Sequence, residues 1–109
     1  MARGAVLEAD TETELETEPL SDTRTRLAPQ WKVLLHNDEI TTFDFVIELL
    51  ITLFRKDAQE AIALTNEVHE SGSAMIVVTS FERAELYVEQ VRSLARGRGY
   101  PLVASMEPA

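Results

Sequence analysis

The sequence predicts an α+β fold in which a three-stranded sheet is covered by three helices, in the order β-α-α-β-α-β. We expect the sheet to be antiparallel, although the pattern itself does not fix the strand directions. Three observations predict this fold: short apolar runs with strand character, longer stretches with apolar residues at helical spacing, and a capping residue before each helical stretch. The chain has 109 residues, which is enough for one hydrophobic core and too few for two. A sheet layer packed against helices is the architecture that such an element order favours.

Residues 1–29 differ in composition from the rest of the chain. Glu and Asp dominate this segment, Thr is frequent, and no aromatic residue occurs in it. Such a composition buries too little apolar surface to order itself. We therefore expect a flexible acidic N-terminal extension over residues 1–29 and one folded domain over residues 30–109. A purely solubilising extension and a functional one are equally compatible with this composition.

The first strand and helix are predicted from a change of period. The run Trp31–His36 is apolar and indicates a buried strand, and Asn37–Glu39 follows it with turn-forming side chains. Thr41 or Thr42 is placed to cap a helix that ends near residues 55–57. Its apolar face is predicted to consist of Phe43, Val46, Ile47, Leu50, Leu53 and Phe54.

The remaining elements follow from two capping boxes and their apolar stripes. Residues 57–60 begin a helix that carries Ala61, Leu64 and Val68 and stops near Gly72, before a buried strand over residues 74–78. Residues 79–82 begin the third helix, and residues 97–99 end it before a last strand over residues 102–106. The stripe of this third helix is predicted to be Ala84, Val88, Val91 and either Leu94 or Ala95.

Composition excludes several classes of function. The formal net charge of −9 argues against binding of nucleic acid, because phosphate neutralisation needs clustered Lys and Arg. No apolar run approaches the roughly 18 residues of a membrane span, and the first residues do not form a secretory signal. The chain has no cysteine, which excludes disulfides and thiolate chemistry. We expect a cytoplasmic protein without a membrane or nucleic-acid partner.

Three polar residues stand out as candidate ligand-binding groups. Asn37 and Asp38 lie where the first strand ends, and His69 lies on the last turn of the second helix. Their side chains offer three hydrogen-bond acceptors, which match the three N–H donors of a protonated amine. They converge only if the end of the second helix packs beside the end of the first strand. The alternative is a plain turn at Asn37-Asp38 and a helix C-cap at His69.

Enzymatic and metal-binding interpretations have less support. His69 and Asp38 could form a dyad, but the chain has neither a cysteine nor a Gly-x-Ser-x-Gly motif to supply a nucleophile. A metal site from His36, Asp38 and His69 is conceivable, yet these residues lack the close ligand spacing of structural zinc sites. We therefore predict no enzymatic activity, no metal and no cofactor.

From Trp31 onward the chain resembles the ClpS family, the adaptors that bring N-degron substrates to Clp ATPase–protease complexes. The resemblance spans essentially the whole folded part. It is carried by Trp-Lys-Val-Leu-Leu-His-Asn-Asp-Glu-Ile-Thr-Thr-Phe-Asp-Phe-Val over residues 31–46, Ala-Leu-Thr-Asn-Glu-Val-His over 63–69 and Tyr-Pro-Leu over 100–102. It implies an adaptor that binds a substrate without cutting it. The alternative is a ClpS-like interaction or inhibitory module on the ATPase that has lost amine recognition.

The resemblance also implies separate roles for two groups of residues at the site. Asn37, Asp38 and His69 would hold the substrate α-amino group, and an apolar pocket would take a first side chain of Leu, Phe, Tyr or Trp. Thr65 and Phe43 stand where family members commonly carry methionines. Since Thr is shorter than Met, we expect a wider pocket that also admits Ile and Val. The implied pocket lining is Ile40, Thr41, Phe43, Val46, Thr65, Val68 and Leu102.

The implied partner is the N-terminal domain of a Clp AAA+ ATPase. Glu82 matches a position of the family that contacts the ATPase, whereas Tyr87 stands where a lysine is common. Residues 1–29 look like the family's N-terminal extension, which takes part in delivery.

Overall fold

The computed structural model describes residues 28–109, so the predicted extension lies almost entirely outside the described part of the chain. Three strands and three helices follow one another in the predicted β-α-α-β-α-β order, which is confirmed. In the described range no helix is both long and apolar enough to cross a bilayer. The elements are β1 (Trp31–His36), α1 (Phe43–Thr52), α2 (Ala58–Ser71), β2 (Ser73–Thr79), α3 (Phe81–Gly97) and β3 (Val103–Pro108).

Strand β1 lies in the centre of the sheet and pairs antiparallel with both β2 and β3, as predicted. At one end of β1, His36 lies opposite Ser73 of β2 and Val103 of β3. A bulge in the β1–β2 ladder leaves Ile76 without a partner in the register, which shifts between Val33 and Leu34.

The core lies between one face of this sheet and the helices. Its strand residues are Val33, Leu35, Ala74 and Ile76, whereas Met75 and Val78 on β2 are exposed. The prediction of a buried β2 was therefore only half correct, because the sheet alternates between a covered and an uncovered face. The buried apolar residues of the helices are Phe45, Val46, Leu49, Leu50, Ala61, Val68, Ala84, Val91 and Ala95.

Helix α1 begins at one of the two predicted caps and ends earlier than predicted. Of the two candidates, Thr42 is the N-cap, and its hydroxyl accepts a hydrogen bond from the Phe45 N–H. The helix ends at Thr52, and the chain then turns at Arg55, which has a φ of 61°. Glycine adopts this left-handed conformation without strain, whereas a residue with a side chain is strained in it. Phe54 is buried beyond the helix end.

The structure also settles the apolar stripe of α3 and the bounds of β3. Ala95 is buried and Leu94 is exposed, so Ala95 completes the apolar stripe of α3. Strand β3 begins at Val103, one residue later than predicted, and continues to Pro108. Leu102 is buried in the connection before the strand, where it lies beside the candidate site.

Candidate functional site

The end of β1 is joined to the end of α2 by a backbone hydrogen bond. The Asn37 N–H donates to the Gly72 carbonyl at 2.9 Å. Gly72 closes α2 in the left-handed conformation, with a φ of 92°, and its own N–H donates to the Val68 carbonyl. This packing brings His69, on the last turn of α2, to the edge of the sheet where Asn37 lies. The end of α2 therefore packs beside the end of β1, as the convergence of Asn37, Asp38 and His69 requires.

A cavity of about 370 Å³ opens at this junction. All ten residues that were expected at the amine site or in the pocket line it, and so do three others: His36, Glu39 and Thr42. No Lys or Arg belongs to the described lining, which gives the cavity an acidic and apolar character. The ten residues are Asn37, Asp38, Ile40, Thr41, Phe43, Val46, Thr65, Val68, His69 and Leu102.

Asp38 organises the loop that forms one wall of the cavity. Its Oδ1 accepts hydrogen bonds from the backbone N–H of Ile40 at 2.8 Å and of Thr41 at 2.7 Å. Its Oδ2 accepts a third hydrogen bond from the Thr41 hydroxyl at 2.7 Å. A carboxylate has roughly four lone-pair sites, so Oδ2 retains capacity for one more donor. Asp38 is thus a loop-forming residue and an available acceptor at the same time.

Hydrogen bonding also fixes the charge of Asp38. Partial burial alone would raise the pKa of its carboxyl group. The hydrogen bonds from the backbone and side chain of Thr41 and from the backbone of Ile40, with the positive charge of Arg96, lower this pKa below its ordinary value of 3.8. The rim of the cavity therefore carries a negative charge at neutral pH.

The inner wall of the cavity is buried and its mouth is open. Thr65 is only 3% exposed, and its hydroxyl donates to the Ala61 carbonyl at 2.7 Å, so the buried hydroxyl already has a partner. At the mouth, Ile40 is 63% exposed and Phe43 is 44% exposed. The Phe43 ring meets the His69 ring edge-on, with the ring centroids 5.1 Å apart. This contact holds an aromatic surface beside the polar rim.

Arg96 and Tyr100, which were not among the predicted site residues, hold the cavity wall that contains Leu102 in place. The Arg96 Nη1 donates to the carbonyl of Tyr100 at 2.8 Å and to that of Leu102 at 3.1 Å. The Tyr100 ring packs against Phe45, with the centroids 5.0 Å apart. These contacts fix the connection that carries Leu102 to the cavity. A basic residue in the last turn of a helix was the available signal for Arg96, but such residues are common there.

His36 lies at the cavity without forming a metal site. Its Nε2 shares a hydrogen bond of 2.6 Å with the Ser105 hydroxyl. Within residues 28–109, no three His, Asp or Glu side chains are arranged to hold a metal ion. The conceivable ligand set of His36, Asp38 and His69 is therefore not assembled as a metal centre.

The two residues expected to contact an ATPase lie on α3, outside the cavity. Glu82 is exposed in the first turn of this helix. Tyr87 is half-buried and stacks on Phe54, with the ring centroids 4.6 Å apart. Tyr87 thus has a packing role in addition to any role at the surface.

Taken together, the fold and the site define a small α+β domain with hydrogen-bond acceptors on the rim of a partly apolar cavity. The family model described as ATP-dependent Clp protease adaptor protein ClpS matches residues 26–105. The chain belongs to the ClpS family, a family of non-catalytic adaptors, and the resemblance seen in the sequence is confirmed.

Individual relatives agree with this assignment. The chain is 51% identical over 77 residues to the Clp protease adapter ClpS of Nautilia profundicola, and the match covers 71% of this chain and 79% of the relative. It is 44% identical over 78 residues to the ClpS of Oleidesulfovibrio alaskensis, covering 72% and 75% of the two chains. The structure of Agrobacterium tumefaciens ClpS2 bound to L-phenylalaninamide matches with a TM-score of 0.72 and 31% identity, and covers 74% of this chain and 98% of that one.

Proposed function

We propose that this protein binds the free N-terminal residue of N-degron substrates and delivers them to a Clp AAA+ ATPase–protease for degradation. The observation that carries the proposal is the convergence of Asn37, Asp38 and His69 on the rim of one apolar cavity. Membership of the ClpS adaptor family supports it.

The amine is held by three acceptors of different kinds. A protonated α-amino group has three N–H donors and no acceptor. The Asn37 amide oxygen, the remaining lone pair of the Asp38 carboxylate and an unprotonated nitrogen of His69 each accept one of them. The lowered pKa of Asp38 favours this role, because the carboxylate stays charged when the ammonium group binds. An acetylated N-terminus has neither the charge nor the three donors, so it would be rejected.

The cavity beneath the rim takes the side chain of the first residue. Its volume of about 370 Å³ lies near the lower end of the roughly 300–1,000 Å³ of small-molecule pockets, which suits one residue better than a longer segment. The ligand named for the Agrobacterium protein, L-phenylalaninamide, combines an α-amine with an aromatic side chain. We propose Leu, Phe, Tyr and Trp as first residues here, and also Ile and Val because Thr65 leaves more room than a methionine.

The energetics require that both parts of the ligand be recognised together. Burying a Leu or Phe side chain contributes roughly 1.5–3 kcal/mol. A hydrogen bond to a charged group contributes roughly 1.5–3 kcal/mol. Micromolar affinity needs about 8 kcal/mol in addition to the cost of association. Neither the side chain nor a single hydrogen bond reaches that value, so an internal residue or an apolar surface would not compete with an N-terminus.

The remaining parts of the proposal concern delivery. The surface of α3 that contains Glu82 and Tyr87 would contact the N-terminal domain of the ATPase, and residues 1–29 would take part in the transfer of the substrate. The adaptor would act in the cytoplasm, where the Clp protease would supply the unfolding and cleavage.

A degradation assay tests delivery directly. A folded reporter that begins with Phe is incubated with the cognate Clp ATPase, its peptidase and ATP, with and without this protein. We expect faster degradation when the protein is added, and no acceleration for a reporter that begins with Ala or for an N37A/H69A double variant. The alternative, an inhibitory module without amine recognition, would instead slow degradation of both reporters equally.

A further inference from the structure

A second groove lies away from the cavity, between the end of α1 and the first half of α3. Its volume is about 310 Å³. A shallow and mostly apolar depression extends it along α3, since Leu53 and Gln90 border both. We call this surface the α3 groove. It is lined by Thr52, Leu53, Arg55, Arg83, Leu86, Tyr87 and Gln90, with Leu94 in the extension.

Two positive charges face the α3 groove without an acidic partner. Among residues 28–109, the ion pairs of Lys and Arg involve Lys32, Lys56 and Arg98, and neither Arg55 nor Arg83 forms one. The Arg83 side chain makes a cation–π contact, with its guanidinium carbon 5.9 Å from the centre of the Tyr87 ring.

Arg55 occupies a position where another residue would be less strained. Its φ of 61° lies in the left-handed region, where glycine would fit better. Strained residues of this kind are enriched at functional sites. The chain therefore keeps a guanidinium at the α3 groove in a conformation that its side chain disfavours.

The sequence contains a segment whose chemistry matches this surface. Residues 8–22 carry seven acidic side chains and no basic one, and Leu15 lies among them. We propose that the acidic segment Glu12–Glu18 docks in the α3 groove of its own chain. Its carboxylates pair with Arg55 and Arg83, and Leu15 contacts the leucines of the α3 groove.

The distances allow this docking within one chain. The Trp31 ring, near the start of the described chain, contacts the Phe81 ring at the first residue of α3, with centroids 5.1 Å apart. From Phe81 to Tyr87 the helix rises about 9 Å. About ten residues separate Glu18 from Ala28, and a chain of that length spans up to about 33 Å when extended. The acidic segment therefore has more than enough reach.

Tethering compensates for the weakness of exposed ion pairs. Two sites joined by a short stretch of the same chain meet at an effective concentration in the millimolar range, so contacts too weak to hold a free peptide suffice within one chain. Residues 28–109 carry twelve acidic and seven basic side chains, so most of the folded surface repels the segment. Glu89 borders only the apolar extension of the α3 groove, which directs the carboxylates to the end that carries Arg55 and Arg83.

Docking has a consequence that rests on the proposed function. Because Tyr87 lines the α3 groove, the docked segment would cover part of the surface proposed to contact the ATPase. The segment and the ATPase would then compete for α3, and release of the segment would accompany assembly.

Paramagnetic relaxation in the full-length chain tests the docking itself, independently of any substrate or ATPase. The chain has no native cysteine, so a Thr13→Cys substitution provides a single attachment point for a nitroxide label. We expect the backbone amide signals of Leu86 and Gln90 to lose intensity at low ionic strength. The signals should recover in about 0.5 M salt, where the Debye length falls to only a few ångströms.

Matched variants separate docking from folding. In R55G/R83Q the intensity loss should disappear, while the melting temperature stays the same or rises because glycine relieves the strained φ at position 55. R92Q removes a charge from α3 outside the α3 groove and should leave the intensity loss unchanged. Intensity loss that persists in R55G/R83Q, or an absence of loss at low salt, would overturn the proposal. So would a loss seen only between labelled and unlabelled copies in a mixture, which would indicate docking between molecules.

Discussion

The carboxylate of Asp38 accepts three hydrogen bonds within the protein and still has one free lone pair. It folds the loop at the end of β1 through three hydrogen bonds, and it leaves one lone pair for a ligand. Because its pKa is lowered in the folded protein, the charged form is favoured by folding. Its contribution to stability is present above the ordinary pKa of 3.8 and is lost as the pH falls through the lower folded value. Asp38 therefore stays charged throughout the range in which histidines titrate.

Two histidine variants test whether His69 contacts the ligand. H69N should bind a Phe-starting peptide more weakly at neutral pH, as measured by calorimetry. H36N should bind nearly as tightly as the unmodified protein, although His36 also lines the cavity. Weaker binding by H36N but not by H69N would refute this role for His69.

Thr65 determines how much space the cavity has at its inner wall. Its side chain is buried and its hydroxyl is already satisfied by Ala61, so a ligand meets a short wall with no unpaired donor. We expect peptides that begin with Ile or Val to bind within about tenfold of a Leu-starting peptide, a difference of about 1.4 kcal/mol. T65M should weaken Ile and Val more than Leu, because overpacking costs roughly 1–3 kcal/mol. Exclusion of Ile and Val by the unmodified protein would contradict the wider pocket.

At the scale of elements, the site depends on the junction between β1 and α2. Gly72 terminates α2 with a φ of 92° and accepts the hydrogen bond from Asn37. A side chain at this φ costs about 1–2 kcal/mol. G72A should therefore lower the free energy of unfolding by that amount and also weaken peptide binding, as measured by denaturant titration and calorimetry.

Gly97 provides the matched control for this prediction. It is the last residue of α3, its φ is not positive, and an added Cβ would meet no atom within 4 Å. G97A should raise the free energy of unfolding by up to about 0.5 kcal/mol and leave peptide binding unchanged. If G72A and G97A behaved alike, the left-handed end of α2 would not be what positions the site.

The elements were predictable because their signals are local. The apolar period and the caps at Thr42 and Asp57 are readable within a few residues, and they predict the correct order of strands and helices. The cap of α3 is Ser80, one residue after the Thr79 that begins the predicted capping box. The exact ends were less predictable, because α1 stops at Thr52 and the buried Phe54 lies in the turn that follows. Which side chains of β2 are exposed depends on which face of the sheet the helices cover. The local sequence of the strand does not indicate which face that is.

The convergence of the site could not be derived from local patterns. Asn37 and His69 are brought together by one backbone hydrogen bond between distant parts of the chain, and Arg96 acts through the connection before β3. The amine and pocket residues are predicted by the resemblance to the ClpS family and not by local patterns. Their shared cavity is a structural finding, whereas their binding role stays a prediction.

At the scale of the whole molecule, the described chain has two cavities whose lining residues carry opposite charges. The cavity at one end of β1 is acidic at its rim and suits a cation. The α3 groove presents Arg55 and Arg83 and suits an anion. Because opposite charges are separated in this way, an N-terminal ammonium group and an acidic segment need not compete for the same surface.

A comparison of two peptides tests the central claim most directly. The peptides begin with Phe and are identical except that one has a free α-amine and the other is N-acetylated. We expect the free amine to bind at least about 100-fold more tightly, or about 2.7 kcal/mol, because acetylation removes at least one charge-assisted hydrogen bond and leaves acceptors unpaired. N37A should reduce this ratio by weakening the free peptide alone. Equal affinities for the two peptides in the unmodified protein would contradict recognition of the N-terminus.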